Sequence, residues 1–148
     1  MQDNHKNNKW NQEGQDVNLL LDYVLKNIEI AINKEKDKRG DVFIKCAENF
    51  GEVLKLKKVS YSMIRRVYNE AKRISREKFC DETIYKLKVL KSLIAYTEGR
   101  FNELRKVKFS EVLSRAINEA EKNEDNYRRF FDFFQAVIAY HRAKGGKE

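Results

Sequence analysis

Basic side chains recur along one predicted helix with a spacing suited to binding a polyanion. Arg65, Lys72 and Arg76 follow at i, i+7 and i+11, which places them on one face of an α-helix, with Arg66 and Arg73 beside them. Because the planar guanidinium donates paired hydrogen bonds to phosphate oxygens, we interpret this face as phosphate-binding. The alternative is a solvated face that only keeps the protein soluble.

The positive charge of the chain is concentrated around this helix. The 148 residues carry a formal net charge of +8, and residues 55–106 hold 15 Lys+Arg against 6 Asp+Glu. On the next predicted helix Lys88 and Lys91 share a face, and Arg100 follows Gly99. A concentrated basic surface favours a nucleic-acid partner, whose phosphates release counterions when they are bound.

Other residues that could do chemistry are sparse. His5 and His141 are the two histidines, and no glycine-rich phosphate loop is present. Cys46 and Cys80 are 34 positions apart, so we expect two core thiols and no metal site. His141 could contact phosphate or stabilise the end of the last helix. We therefore expect no cofactor, no metal and no enzymatic activity.

Tyrosines on the basic helices could stack on splayed bases. The candidates are Tyr61, Tyr68, Tyr85 and Tyr96. The helical spacing of Tyr68 favours a core position for that ring.

Composition and periodicity predict the elements that must position these residues. The chain has no proline and six glycines, and apolar residues recur every three or four positions, which is typical of amphipathic helices. We predict an all-α, single-domain helical bundle of about five or six helices. The first two helices are expected at residues 17–36, with Asp16 as N-cap, and at 41–57. A third helix is expected to start with Ser60 as its N-cap. The others are expected at 81–98, with Gly99 as C-cap, and at 110–122 and 125–144.

We expect residues 1–15 to be a mobile N-terminal tail and residues 16–146 to form the bundle. The tail is polar apart from Trp10 and has no stretch of signal-peptide type. No apolar run approaches the length of a membrane span, so a cytoplasmic protein is expected.

The last predicted helix has apolar residues on two sides. Four phenylalanines, Phe130, Phe131, Phe133 and Phe134, occur within five positions. Such a helix is either central to the bundle or in contact with another chain. We predict that these four residues contribute to a subunit interface.

Three segments, in order and with matching spacing, resemble one known family. They are residues 59–68 (VSYSMIRRVY), 87–100 (LKVLKSLIAYTEGR) and 130–141 (FFDFFQAVIAYH). Over about residues 41–146 the chain resembles the small α-helical subunit of the type III-A CRISPR (Csm) effector complex, a system of antiviral defence.

The resemblance implies a non-catalytic subunit that lines the channel in which guide RNA pairs with target RNA. It implies backbone contacts without sequence preference, and contacts with other subunits of the complex or with further copies of itself. Arg65, Arg66, Lys91 and Arg100 fall on the family's motif positions, whereas Arg73 and Lys88 are chosen by helix face alone. The predicted RNA-binding residues are Arg65, Arg66, Arg73, Lys88, Lys91 and Arg100.

Two other functions remain open at this point. The chain could be a homodimeric protein-interaction scaffold, in which the phenylalanine-rich helix matters and the basic face only aids solubility. It could also be a double-stranded DNA-binding regulator, although the helix at 81–98 begins with Asp81 and Glu82, which DNA would repel.

Overall fold

The computed structural model describes the backbone of residues 2–148 and the side chains of residues 16–148. Over this part of the chain the secondary structure is entirely helical, which confirms the all-α prediction. The helices are α1 (Gln2–Ile32), α2 (Asp41–Leu56), α3 (Tyr61–Ser75), α4 (Asp81–Arg100), α5 (Asn102–Lys106), α6 (Phe109–Ala120) and α7 (Glu124–Ala143). No helix with described side chains is long and apolar enough to cross a bilayer.

The described part of the chain has seven helices, and the sequence predicted five or six. The additional helix is α5, a short segment between α4 and α6. Leu104 at its centre is fully buried and Phe101 before it packs against the core, so the connection is held as a helical turn.

Three predicted helix ends are misplaced. Helix α1 ends at Ile32 and not at residue 36. Helix α1 begins at Gln2, so Asp16 lies inside the helix and cannot be its N-cap. Gly99 lies within α4 and does not end it. The side chains of residues 1–15, including Trp10, lie outside the described residues, and the mobility of this segment stays a prediction.

Helix α7 lies at the centre of the bundle and contacts α1, α2, α3 and α6. Its approach to α2 is closest at Gly51, where an added Cβ would lie 2.7 Å from the Cβ of Tyr140 and 2.9 Å from the carbonyl oxygen of Val137. Only glycine fits at this crossing without displacing backbone. The glycine that weakens α2 as a helix is therefore required for its packing.

Polar groups of α7 hold α3 in place. The hydroxyl of Tyr127 lies 3.0 Å from the carbonyl oxygens of Ile74 and Glu77 at the end of α3. Before the start of α3, His141 Nε2 donates to the carbonyl of Val59 over 2.7 Å. These bonds satisfy buried polar groups and orient α3 on the core.

The start of α3 is capped differently from the prediction. Ser60 occupies the N-cap position, but its side chain makes no capping hydrogen bond. The amides of Tyr61 and Ser62 instead donate to the carbonyls of Lys147 and Glu148, over 2.8 and 2.7 Å. The residues that follow α7 thus supply acceptors for the free amides of α3.

Candidate nucleic-acid interface

Helix α3 and its C-cap residue present five basic side chains to solvent. Its buried face consists of Ile64, Val67, Ala71 and Ile74, so the residues opposite must face outward. All five basic residues of that outer side are exposed: Arg65, Arg66, Lys72, Arg73 and Arg76, which we call the α3 basic face.

Most of this face carries no internal ion pair. Among the described side chains, Arg65, Arg66 and Arg76 have no carboxylate within salt-bridge distance, whereas Arg73 pairs with Glu70. The Lys72 ammonium lies 5.7 Å from the centre of the Tyr68 ring. A phosphate can therefore approach three guanidinium groups without breaking an existing ion pair.

Two of the predicted basic residues of α4 lie on the side that faces α6. Helix α4 buries Leu87, Leu90 and Ile94, and its two flanks face α3 and α6. Lys88 lies on the α6 flank, with its Nζ 2.9 Å from Glu121 Oε2. Lys91 lies there too, hydrogen-bonded to Asn118 and 3.9 Å from Glu121 Oε1.

The structure brings Arg66 and Arg73 together at a groove between α3 and α4. The groove is also lined by Tyr85, Lys86 and Val89 of α4. Lys88 and Lys91 are not part of this groove. Arg100, at the end of α4, is exposed with its guanidinium 5.2 Å from the centre of the Phe101 ring. The predicted sites thus do not form one continuous face: Arg66 and Arg73 line the groove, the two lysines face α6, and Arg100 lies apart at the end of α4.

Lys86 contributes less free charge to the groove than its position suggests. Its ammonium lies 2.6 Å from Glu77 Oε1, and this hydrogen bond raises the pKa of Lys86. The lysine remains charged at neutral pH but already has an anionic partner. The unpaired Arg66 is therefore the strongest available phosphate donor of the groove.

The four candidate stacking tyrosines differ in exposure. Tyr68 packs against Phe134, with ring centres 5.2 Å apart, and Tyr61 packs edge-on against Tyr68. Burial raises the pKa of Tyr68, in keeping with its position against the core. By contrast, 65% of Tyr85 and 62% of Tyr96 are exposed. Only these last two rings are open to a base.

The structure corrects two further predictions about single residues. His141 is buried and bonded to Val59, so it presents no nitrogen to a phosphate. Cys46 is a core thiol as predicted, and burial raises its pKa to about 12. Cys80, however, is exposed before α4, and hydrogen bonds from the Thr83 backbone and side chain lower its pKa.

The residues of the predicted subunit interface lie mainly inside the chain. Phe130, Phe133 and Phe134 are at most 2% exposed, because α7 is surrounded by four helices. In this conformation these three rings have no surface for a neighbouring chain. Phe131 is half-buried, and its contact with another chain stays a prediction. Sequence periodicity showed two apolar stripes on α7 but not which neighbours cover them.

The described side chains include no group of three or more His, Cys, Asp or Glu residues placed to hold a metal ion. The α3 basic face and the neighbouring groove present cations and aromatic rings, and such a surface can bind a polyanion.

Comparison with known proteins identifies the family. Neither a curated protein nor a solved structure matches the chain significantly. A family model described as Csm2 Type III-A matches residues 37–147, about three quarters of the chain, and this range includes α2 to α7. The chain therefore belongs to the Csm2 type III-A family and is a subunit of a type III-A CRISPR (Csm) effector complex.

Proposed function

We propose that this chain is a non-catalytic, RNA-binding small subunit of the cytoplasmic type III-A interference complex in antiviral defence. It contacts the backbone of guide and target RNA through the α3 basic face. The observation that carries this proposal is the exposure of Arg65, Arg66 and Arg76 without an ion pair among the described side chains. These residues lie within the region matched by the family model.

The physical basis is electrostatic and geometric. Each phosphate neutralised by an arginine releases condensed counterions, so affinity depends on salt concentration. An A-form duplex offers phosphates and 2′-hydroxyls in preference to readable base edges, and binding through this face is expected to ignore sequence. The sequence itself is read by guide–target base pairing.

The predicted RNA-binding residues are not equivalent. Arg65 and Arg66 should contribute most because no internal carboxylate competes with the phosphate. Arg73 already shares its charge with Glu70, and Lys88 and Lys91 share theirs with Glu121. We therefore expect smaller losses of RNA affinity when Arg73, Lys88 or Lys91 is replaced. The contribution of Arg100 depends on the path of the RNA past the end of α4.

The test is RNA affinity as a function of salt. In the assembled complex and in the full chain, the Arg65→Ala/Arg66→Ala variant should bind RNA more weakly. The slope of log K against log salt should become shallower by about 0.7 for each single-strand phosphate that is no longer neutralised. The control is Lys26→Ala/Lys38→Ala, which removes two exposed charges on and after α1. Equal weakening by both variants would contradict a specific role of α3.

The same experiment separates the alternative functions. A stable homodimer with no RNA affinity at low salt would favour the scaffold, and preference for one duplex DNA sequence would favour the regulator. The non-catalytic role has its own test: once RNA is bound to saturation, the arginine variants should leave the target-cleavage rate of the complex unchanged. A lower rate at saturation would indicate direct participation in the reaction.

A further inference from the structure

The outer face of α4 exposes an aromatic row that backbone binding does not require. Tyr85, Val89 and Tyr96 are 65%, 49% and 62% exposed, and they follow at i, i+4 and i+11. At 1.5 Å per residue, Tyr85 and Tyr96 are separated by roughly 16 Å along the helix axis. Ser92 lies between them and is also exposed. The row is therefore a continuous surface with a ring near each end.

This row lies beside the cations of α3. Tyr85 and Val89 line the same groove as Arg66 and Arg73, whereas Tyr96 lies beyond it. Glu70, which pairs with Arg73, also lines the groove, so Arg66 is its unpaired guanidinium. A ligand that rests on the row thus meets apolar rings on one side and guanidinium groups on the other. The ligand that fits both is flat, apolar on its faces and attached to phosphates.

An unpaired nucleotide has these properties, whereas a paired one does not. In a duplex the bases are stacked on one another and cannot reach a protein ring, so single-stranded RNA is recognised by stacking on aromatic side chains. A duplex would use the arginines of the groove and leave the tyrosines without a role. The combination therefore favours a strand with unstacked bases.

Building on the RNA binding proposed above, we infer that the groove between α3 and α4 binds single-stranded RNA. Unpaired bases stack on Tyr85 in the groove and on Tyr96 further along α4, and Arg66 and Arg73 hold the phosphates beside Tyr85. The site prefers a segment that is not paired with its complement. Stacking is tolerant of base identity, so this preference is for strandedness and not for sequence.

The experiment measures the affinity of the full chain for an unstructured RNA of about 12 nucleotides and for a duplex of the same length. Tyr85→Ala/Tyr96→Ala should lower single-strand affinity by roughly 5-fold or more for each ring, and leave duplex affinity little changed. Tyr85→Phe/Tyr96→Phe keeps the rings and should bind as the unchanged chain does. Leu19→Ala, an equally exposed apolar residue on α1, is the control.

A second probe removes the bases instead of the rings. An abasic RNA of equal length should bind the unchanged chain more weakly, and the alanine variant should bind abasic and normal RNA equally. If the alanine variant still distinguishes the two RNAs, or binds single strands like the unchanged chain, the inference is wrong. The inference is also wrong if Tyr85→Ala/Tyr96→Ala prevents assembly of the complex but leaves RNA affinity unaltered, because the row would then contact a protein.

If the chain does not bind the RNA backbone at all, the affinities of the variants follow a different pattern. Arg66→Ala/Arg73→Ala should weaken both single-strand and duplex binding if the groove contacts phosphates. If the arginine changes weaken RNA binding and the tyrosine changes do not, base stacking is excluded and backbone binding is supported. If no RNA binds even at low salt, both proposals are overturned.

Discussion

Helices α3 and α7 carry the same types of charged residue and use them differently. On α7, Arg129 is 14% exposed and donates to Asp37, whose side chain is 5% exposed. Just after α7, Lys144 lies 3.2 Å from Glu48. On α3, Arg65 and Arg66 face solvent without an ion pair among the described side chains. Arg129 and Lys144 thus hold parts of the fold together, whereas Arg65 and Arg66 stay available to a ligand.

The aromatic rings show the same contrast. Phe130 of α7 is enclosed by the chain's own core, whereas Tyr85 of α4 is mostly exposed. An exposed ring and an unpaired guanidinium contribute little to stability. The exposed rings and unpaired arginines on the α3–α4 side are therefore better explained by binding than by folding. Mutations can test whether stability and binding depend on different residues.

The largest effect on stability should come from Phe130→Ala. It removes a fully buried ring from the centre of the bundle and should lower the free energy of unfolding by about 3–5 kcal/mol in urea denaturation. Phe131→Ala is the matched control, because its half-buried ring should cost roughly 1–2 kcal/mol. If Phe131 contacts a neighbouring subunit, its removal should also weaken complex assembly. Equal destabilisation by both changes would contradict the difference in burial between the two rings.

The direct test of the comparison replaces one arginine on α7 and one on α3 by methionine. Arg129→Met leaves the buried Asp37 carboxylate without its cation and should lower the free energy of unfolding by roughly 2–4 kcal/mol. Arg66→Met should change stability by no more than about 0.5 kcal/mol but should weaken RNA binding. Thermal denaturation and RNA affinity, measured on both variants, check the pair. A large destabilisation by Arg66→Met would place that arginine among the structural cations.

The smallest expected effects come from two helical glycines, whose replacement by alanine should change the free energy of unfolding in opposite directions. Gly51→Ala forces a Cβ to 2.8 Å from the His141 amide nitrogen and should lower the free energy of unfolding by about 1–3 kcal/mol. Gly99→Ala meets nothing within 4 Å and should raise it by roughly 0.5–1 kcal/mol through helix propensity. Denaturation midpoints of the two variants should move in opposite directions. A stabilising Gly51→Ala would show that α2 and α7 can separate at little cost.

Much of the fold follows from local patterns in the sequence. The absence of proline and the spacing of the apolar residues predicted an all-α bundle, and α3, α6 and α7 were placed to within a few residues. The helix ends were less predictable, because caps depend on distant partners. Helix α2 begins at Asp41 as predicted, but the Asp37 carboxylate accepts from the amides of Val42 and Phe43 in its first turn, a contact that the sequence did not predict.

The candidate site was predicted only in part. Charge counting located the basic region, and the spacing on α3 gave its outward face correctly. Lys88 and Lys91 looked equivalent to these arginines in sequence, yet they face α6 and its neighbour Glu121. The exposure of Tyr85 and Tyr96, as opposed to Tyr68, also required the neighbouring helices to be known.

The sequence by itself determined most of the helices, which face of α3 points outward, and where positive charge accumulates, because these depend on spacing within one helix. The tertiary structure decided which charges are neutralised and which rings are covered. Arg129 meets Asp37 across 92 positions and Lys88 meets Glu121 across 33. Electrostatic pairing acts over a few ångströms in space, so only the packing of the helices determines which cations stay free.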